Sequence, residues 1–141
     1  MPSSGQATEA ELDVEKDFLI SILKDCGLTP DLLPIGVFWD VEEDSYRGRT
    51  FPSSCVIHRM CRRFCEAVTV KGYRSGIYSS ASWLQSYIKA AEFAGHTLWA
   101  AQWWKECTVK EAGIWQFTDH LEVAGQIFDG NRILEKTDGD E

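Results

Sequence analysis

The alternation of strand-like and helix-like segments along this 141-residue chain predicts an α/β fold with a mostly parallel sheet. Two observations support the prediction. An apolar run with strand character, residues 33–42, lies between segments with helical periodicity, and further short strand-like runs recur along the rest of the chain. A chain of this length can form one modest domain with a true core. In such sheets, functional residues gather at the carboxyl ends of the strands.

The first helix is predicted over residues 8–26. Thr8 and Glu11 match the spacing of a capping box, and apolar residues then recur at helical spacing. Gly27 stands where a C-terminal cap belongs. The apolar strand 33–42 follows this helix.

The remaining elements continue the alternation, with serines as helix caps and glycines as helix ends. A polar loop is predicted over 43–52, a second helix from Ser53 or Ser54 to just before Gly72, a strand at 73–78, a third helix from Ser79 or Ser80 to Gly95, and strands at 96–104, 113–117 and 126–129.

Two carboxylates, Asp40 and Glu42, close the apolar strand. Side chains alternate between the faces of a strand, so these two are expected to project together. Two neighbouring carboxylates cannot share one pKa, and glycosidic bond cleavage uses that difference. From these residues alone a solvated strand end is the simpler interpretation, because Glu43 and Asp44 continue the acidic run.

Further candidates fall at the predicted strand ends. Aromatic side chains there can offer flat faces to sugar rings, although they are also ordinary core material. The strand-end candidates are Asp40, Glu42, Tyr78, Gln102, Gln116 and Asp129, and the aromatic candidates are Tyr78, Trp99, Trp103, Trp104 and Trp115.

Composition excludes several classes of partner. The net charge of −8 argues against nucleic acid and anionic lipid. No apolar run approaches the ~20 residues that span a bilayer, and the first residues show no signal peptide. Residues 135–141 are predicted to be a solvated acidic tail.

The five cysteines do not predict a disulfide framework, because their number is odd and no signal peptide is visible. Cys55, His58, Cys61 and Cys65 suggest a metal site, but they share one helical pattern and lack the paired Cys-x-x-Cys of zinc sites. Buried or half-buried thiols on a helix are the favoured interpretation, with a metal-binding protein as the weaker hypothesis.

Four segments resemble, in order, the signature segments of glycoside hydrolase family 25, the Chalaropsis-type lysozymes found in bacteria and as phage endolysins. The strand ending in Asp40-Val41-Glu42 is similar to the family's central strand and its Asp-x-Glu signature. The other three segments are 64–79, 98–103 with its Trp-x-Ala-x-aromatic pattern, and 114–131 with Trp-Gln-Phe and Asp-Gly-Asn. The resemblance covers about residues 8–134.

The resemblance implies a muramidase that cleaves the β-1,4 bond between N-acetylmuramic acid and N-acetylglucosamine in peptidoglycan, without metal or cofactor. It implies that Glu42 is the general acid and that Asp40 assists the transition state, for instance by orienting the substrate's acetamido group. The implied substrate-binding residues are Asp129, Tyr78, Trp99, Gln102 and Trp115.

The family's fold is a TIM-type (β/α) barrel that opens with three strand–helix units before the first helix seen here. The resemblance therefore implies a single truncated catalytic domain over 1–141, with those first three β/α units missing and about five of the expected strands present. A sheet cut in this way has an exposed edge, which makes self-association possible. Two functional alternatives follow: an active lysozyme, either released from the cytoplasm like a phage endolysin or secreted, and a catalytically impaired remnant that only binds peptidoglycan.

Overall fold

A computed structural model describes residues 4–43 and 52–134, with side chains from residue 10 onward. The main elements are helix α1 (Ser4–Asp25), strand β1 (Val37–Asp40), helix α2 (Ser54–Val70) and strands β2 (Ser75–Ser80), β3 (Thr97–Ala101), β4 (Ala112–Val123) and β5 (Gln126–Ile133). Short helical turns lie at Pro30–Leu32, Ala81–Trp83, Leu84–Ile88 and Ala90–Glu92. The predicted tail 135–141 and residues 44–51 of the predicted loop lie outside the described residues.

The five strands form one sheet in the order β1-β2-β3-β4-β5. The first four strands run parallel to one another, and β5 pairs antiparallel with β4. The predicted α/β class and mostly parallel sheet are therefore confirmed. Closure of such a sheet into a barrel stays a prediction from the family resemblance.

Helix α2 covers one side of the sheet. Ser53 begins it, because its hydroxyl accepts a hydrogen bond from the Val56 amide at 3.3 Å. The Phe64 ring stacks on Trp39 of β1, with centroids 6.0 Å apart. The buried stripe of α2 consists of Ile57, Met60, Cys61, Phe64, Cys65 and Val68. Burial of each large apolar side chain contributes about 1.5–3 kcal/mol, so this packing is a main source of stability.

Alternation along the strands separates two faces of the sheet. Ile77 of β2 and Leu98 of β3 are buried in the core with α2. The next residues along these strands, Tyr78 and Trp99, point to the opposite side, where they pack against each other. Phe38 of β1 contacts Trp99 on that same side. We call the side packed by α2 the covered face, and the side that carries Phe38, Tyr78 and Trp99 the open face.

Two predicted boundaries near the amino terminus are wrong. Helix α1 begins at Ser4, so Thr8 lies inside it and does not cap it, whereas the predicted end before Gly27 (φ 68°) is confirmed. Strand β1 begins only at Val37. Pro34 has no amide hydrogen to donate to a sheet, and Gly36 adopts φ 121°, with its backbone so near Arg74 that a Cβ would lie 2.8 Å from that carbonyl oxygen.

The predicted third helix is broken into short turns. Ser80 caps the first turn as predicted, accepting a hydrogen bond from the Trp83 amide at 3.2 Å. Lys89 then adopts a left-handed conformation with φ 63°, which ends the helical path. As a result Ala90 and Phe93 are buried, whereas Ala91, which a continuous helix would bury, is exposed.

The last two strands are longer than predicted and form an antiparallel hairpin. Their turn contains Ala124 at φ 52° and Gly125 at φ 79°, the positive values that a two-residue hairpin turn of type I′ requires. The prediction missed this turn because Ala-Gly is a weaker turn signal than Asn-Gly or Asp-Gly. None of the helices in the described ranges is long and apolar enough to cross a membrane.

Candidate functional site

The acidic pair lies at the carboxyl end of β1 on the open face. Pairing continues beyond Asp40, since the Val41 amide donates to the Tyr78 carbonyl at 3.0 Å, and Val41 is buried. Asp40 and Glu42, on either side of Val41, therefore project together away from the core. Their side chains share a hydrogen bond. The structure thus brings the two predicted carboxylates into direct contact.

Burial raises the pKa of the Asp40 carboxyl above its ordinary value, although the residue keeps exposed surface. The hydrogen bond with Glu42 opposes this effect and lowers the pKa of Asp40. A hydrogen bond lowers the pKa of a carboxyl by stabilising its charged form, and only a protonated partner can donate to a carboxylate. The two carboxyl groups can therefore share one proton between them.

Tyr78 lies among three carboxylates. Burial is the largest cause that raises the pKa of its phenol, to about 12, and the negative charges of Glu42, Asp40 and Asp129 add to it. A hydrogen bond to Gln116 acts in the opposite direction. Tyr78 therefore stays neutral at physiological pH, and the negative charges of three acidic residues act on it.

Two hydrogen bonds order the open face around this point. The Tyr78 hydroxyl donates to Gln116 Oε1 at 2.7 Å, and Trp99 Nε1 donates to Asn131 Oδ1 at 2.8 Å. The Tyr78 and Trp99 rings meet edge to face, with centroids 4.9 Å apart. Each ring is thereby fixed by both a ring contact and a polar bond, which is how binding surfaces are held in one geometry.

Asp129 lies on a strand whose direction differs from the one that the sequence predicted. It was expected at the carboxyl end of a parallel strand, but β5 runs antiparallel to the others. Asn131 is paired with Gln116, so Asp129, two residues earlier on β5, lies further toward the edge where the parallel strands end. The strand-end argument was wrong for Asp129, although the residue does lie near Tyr78.

Gln102 and Trp115 have other partners. The Gln102 side chain accepts from the Thr108 amide at 2.8 Å and donates to the Thr108 hydroxyl at 3.0 Å. The Trp115 indole is 7 % exposed and donates to the Gln102 carbonyl at 2.9 Å. These bonds hold the connection between β3 and β4, and a substrate-binding role for the two residues stays a prediction.

Sequence reasoning gave no role to two open-face residues, Gln116 and Asn131. Gln116 had been noted only as a strand-end residue. Asn131 follows Asp129 by two positions, so the strand period of two was a signal that could have found it. Neither residue carries a charge. The hydrogen bonds that each one makes depend on the register between strands, which the sequence does not determine.

Two of the cysteines belong to the core rather than to the open face. Cys61 and Cys65 are buried on α2, and burial raises the pKa of the Cys65 thiol to about 11, which confirms the packing interpretation for these two. Cys55 is exposed. His58 Nε2 lies 3.1 Å from Glu92, and its Nδ1 lies 2.7 Å from the Ile88 carbonyl. Across residues 4–43 and 52–134, no three His, Cys, Asp or Glu side chains are grouped to hold a metal ion.

Comparison with known proteins assigns the family. The family model of the glycosyl hydrolases family 25 matches residues 5–126, which is most of the chain. The chain belongs to glycosyl hydrolase family 25. The match includes β1 to β4 and all of the acidic pair, while the β5 residues Asp129 and Asn131 lie beyond it.

Two solved structures share the fold. A family 25 glycosyl hydrolase from Bacillus anthracis superposes with a TM-score of 0.57 at 14 % identity, over 73 % of this chain and 51 % of that one. The modular autolysin LytC from Streptococcus pneumoniae superposes with a TM-score of 0.64 at 19 % identity, over 83 % of this chain and 28 % of that one. The family 25 chain thus spans about half the length of the first relative and less of the second. No curated protein is significantly similar to it in sequence.

Proposed function

We propose that this family 25 chain is a peptidoglycan hydrolase of the lysozyme type. In this proposal it cleaves the β-1,4 bond between N-acetylmuramic acid and N-acetylglucosamine. The observation that carries the proposal is the hydrogen-bonded pair of Asp40 and Glu42 at the end of β1, whose charges, with that of Asp129, act on the neutral phenol of Tyr78. Paired carboxyl groups in unequal environments are the recurring machinery of glycoside hydrolysis.

Glu42 is proposed as the general acid. Its side chain shares a hydrogen bond with Asp40, so the pair can hold the proton that a general acid needs, and the family resemblance assigns that role to Glu42. Glu42 then protonates the leaving glycosidic oxygen as the bond to the anomeric carbon breaks, and a water molecule finally adds to the anomeric carbon and returns a proton to Glu42. Asp40, left negative, stabilises the positive charge that develops on the sugar or orients the substrate's own acetamido group.

The remaining open-face residues are proposed to hold the sugar. Trp99 and Tyr78 present ring surface beside the acidic pair, and each ring is fixed by a hydrogen bond to a residue two strands away in the sheet. Asp129 adds a third negative group near Tyr78. The proposed substrate is a neutral glycan segment, because a cluster of three carboxylates repels anions. Neither a metal nor a cofactor takes part in the proposed mechanism.

The decisive test is the clearing of purified cell walls by the wild-type chain and by Glu42→Gln. Loss of a general acid lowers the rate by about 10²- to 10⁴-fold, and the substitution keeps the size of the side chain. Glu66→Gln is the matched control, because Glu66 is an exposed carboxylate on α2. Equal clearing by wild type and Glu42→Gln would remove Glu42 from the mechanism.

A second candidate function is a peptidoglycan-binding remnant without catalysis. The hydrogen-bonded rings of Tyr78 and Trp99 favour it, because ring surfaces can bind a sugar without any proton transfer. A pull-down with insoluble peptidoglycan separates the two functions. Binding without release of soluble fragments supports the remnant, and absence of binding counts against both candidates.

Self-association through the sheet edge is a further part of the proposal. Strand β1 is an edge strand of the described sheet, and α1 exposes an apolar stripe of Val14, Phe18 and Ile22. We expect a second copy of the chain as the partner. Because both copies carry a net charge of −8, salt should strengthen the association by screening repulsion. Light scattering after gel filtration at low and high salt tests this, with Phe18→Glu as the variant that should stay monomeric.

The place of action is proposed to be the bacterial cell wall. An acidic chain has little attraction for nucleic acid or anionic lipid, so neither is proposed as a partner. The route to the wall, by release from the cytoplasm or by secretion, stays a prediction.

A further inference from the structure

The connection between β3 and β4 carries two consecutive tryptophans that are not packed into the core. Trp103 and Trp104 are 50 % and 51 % exposed. Tryptophan side chains are highly buried on average, and large apolar side chains exposed side by side commonly mark a binding surface. The hydrogen bonds that order the open face involve Tyr78 and Trp99 instead. The two exposed rings therefore call for a role of their own.

Hydrogen bonds hold the backbone beneath these rings in one geometry. The Gln102 side-chain oxygen accepts from the Thr108 amide at 2.8 Å, and Gln85 donates to the Thr108 carbonyl at 3.1 Å. The Gln102 carbonyl accepts from the Trp115 indole at 2.9 Å and from the Trp104 amide at 3.0 Å. A ligand that binds to the two rings therefore meets an ordered loop, and little entropy is lost in fixing it.

Strand register places the two rings at the same edge of the sheet as the acidic pair. Asp40 is paired with Tyr78, and Tyr78 with Trp99, so these three residues lie at one level. Strand β3 ends at Ala101, and Trp103 lies four residues beyond Trp99 in the same direction. Because β1 and β3 are two strand spacings apart, about 10 Å, a ligand held at the acidic pair can extend to the two rings.

A positive charge accompanies the rings. Lys105 Nζ lies 5.5 Å from the centroid of the Trp104 ring. Across residues 4–43 and 52–134, Lys105 forms no ion pair, so its charge is available to a ligand. We call Trp103, Trp104 and Lys105 the tryptophan platform. It offers apolar ring surface together with a cation, whereas the acidic pair carries negative charge, so an anionic part of a ligand is drawn toward the platform.

Peptidoglycan has two chemically different parts, and only one of them matches both features of the platform. Its sugar backbone is neutral, so it can contact the rings but gains nothing from Lys105. Its stem peptides, attached to the lactyl group of muramic acid, carry alanine methyl groups and free carboxylates. The carboxylates are repelled by the acidic pair and attracted by Lys105, and the methyl groups can pack on the indoles.

We propose that the tryptophan platform binds the stem peptide of peptidoglycan, with the rings against its apolar side chains and Lys105 against a carboxylate. This inference rests on the proposed function, since it names a second part of the same substrate. It makes Trp103, Trp104 and Lys105 specificity-determining residues, which select a glycan that carries peptides and take no part in breaking the glycosidic bond.

The test compares two soluble ligands that differ only in the peptide. One is the disaccharide N-acetylglucosaminyl-N-acetylmuramic acid with an alanine–glutamate dipeptide on its lactyl group, and the other has that group closed as a neutral methylamide. The proposed hydrolase does not cleave the bond inside this disaccharide. NMR titration of the wild-type chain should show at least about tenfold tighter binding of the peptide ligand. The indole resonances of Trp103 and Trp104 should shift with that ligand alone.

Three variants and one matched control locate the effect. Trp103→Ala and Trp104→Ala should each remove most of the preference and leave binding of the methylamide unchanged. Lys105→Gln should weaken binding of the peptide ligand about two- to fivefold and abolish the salt dependence of the preference. Lys110→Gln, at another exposed lysine of the same connection, should change neither. All four residues are exposed, and near-ultraviolet circular dichroism verifies the fold of each variant.

The inference is overturned by equal wild-type affinity for the two ligands, by a preference that survives in both alanine variants, or by no wild-type binding of the peptide ligand. Cell-wall clearing without a preference for the peptide ligand removes only the platform and leaves the proposed hydrolase. A preference that the variants abolish, in a chain that clears no walls, supports the platform and removes the proposed hydrolase.

Discussion

The two faces of the sheet are built from alternate residues of the same strands, yet different forces hold them. On the covered face, Ile77 and Leu98 pack into a cluster with the apolar stripe of α2. On the open face, their neighbours Tyr78 and Trp99 are fixed by hydrogen bonds to Gln116 and Asn131. The covered face is thus stabilised mainly by apolar burial, and the open face is ordered mainly by directional bonds.

Along each strand, the residues of the covered face therefore determine stability, and the residues of the open face determine what the surface can bind. Apolar packing has little directional preference, so a core side chain can be exchanged for another of similar volume at small cost. Hydrogen-bonded side chains have defined partners and directions, and changing one alters what the surface can bind. Substitutions at neighbouring positions should therefore have opposite profiles, one on stability and the other on binding.

The largest effect expected on stability comes from Ile77→Ala on the covered face. Ile77 is 0 % exposed, and truncation of such a residue typically costs about 2–5 kcal/mol in free energy of unfolding. Domains of this size are commonly stable by about 5–15 kcal/mol, so the variant should unfold at much lower urea concentration. Urea denaturation followed by circular dichroism provides the measurement.

Tyr78→Phe is the matched control for Ile77→Ala, one position along the same strand. It removes one hydroxyl and keeps the aromatic contact with Trp99, so we expect a loss of only about 0.5–1.5 kcal/mol. If the two variants lose equal stability, the separation between the faces is wrong.

Gly76→Ala should have the next largest effect, and it tests the packing of the open face itself. A Cβ at residue 76 would lie 2.3 Å from the Phe38 ring and 2.5 Å from the Thr97 carbonyl oxygen. The ring can move but the backbone carbonyl cannot move easily, so we expect a loss of about 1–3 kcal/mol in free energy of unfolding. Thermal unfolding measures it. Gly95→Ala probes the same substitution without crowding, since a Cβ there meets no atom within 4 Å, although its φ of 91° also strains alanine.

Comparison with the sequence shows which features local pattern can predict. The amphipathic stripe of α2, its cap at one of two serines and the strand that contains Asp40 were predictable, because periodicity and capping depend on residues close together in the sequence. Strand alternation predicted that Asp40 and Glu42 project together, and the structure shows a hydrogen bond between their side chains.

Features that depend on distant residues were not predictable in the same way. The antiparallel direction of β5 follows from the Ala124-Gly125 turn, and it decides how Asp129 reaches the site. The helix break at Lys89 depends on the tertiary packing that buries Ala90 and Phe93 and leaves Ala91 exposed. Likewise, Gln116 meets Tyr78 through strand register across 38 residues of sequence, and no local pattern encodes that distance.

A moderate effect is expected from Asn131→Ala, which tests whether hydrogen bonds order the open face. It removes the partner of Trp99 Nε1 at 2.8 Å, which should cost about 0.5–1.5 kcal/mol in free energy of unfolding, at the low end because the site is exposed. The indole should gain freedom, visible as a change in the Trp99 side-chain resonance by NMR. An unchanged resonance would show that ring contacts alone hold Trp99 in place.

The last effect is absent at neutral pH, appears only at high pH and again separates the two faces. The pKa of Tyr78 is raised to about 12, whereas an unfolded tyrosine titrates near 10. A group whose pKa is higher in the folded state contributes stability that is fully present below the unfolded pKa and is lost as pH rises through the folded pKa. Between about pH 10 and 12 the wild-type chain should therefore lose stability more steeply than Tyr78→Phe.

Urea denaturation at each pH measures the difference in free energy of unfolding between the two chains. The other three tyrosines are common to both chains, so their contributions cancel. Parallel curves would show that the carboxylates and burial around Tyr78 do not disfavour its charged form, and the convergence of acidic groups on the open face would lose its electrostatic support.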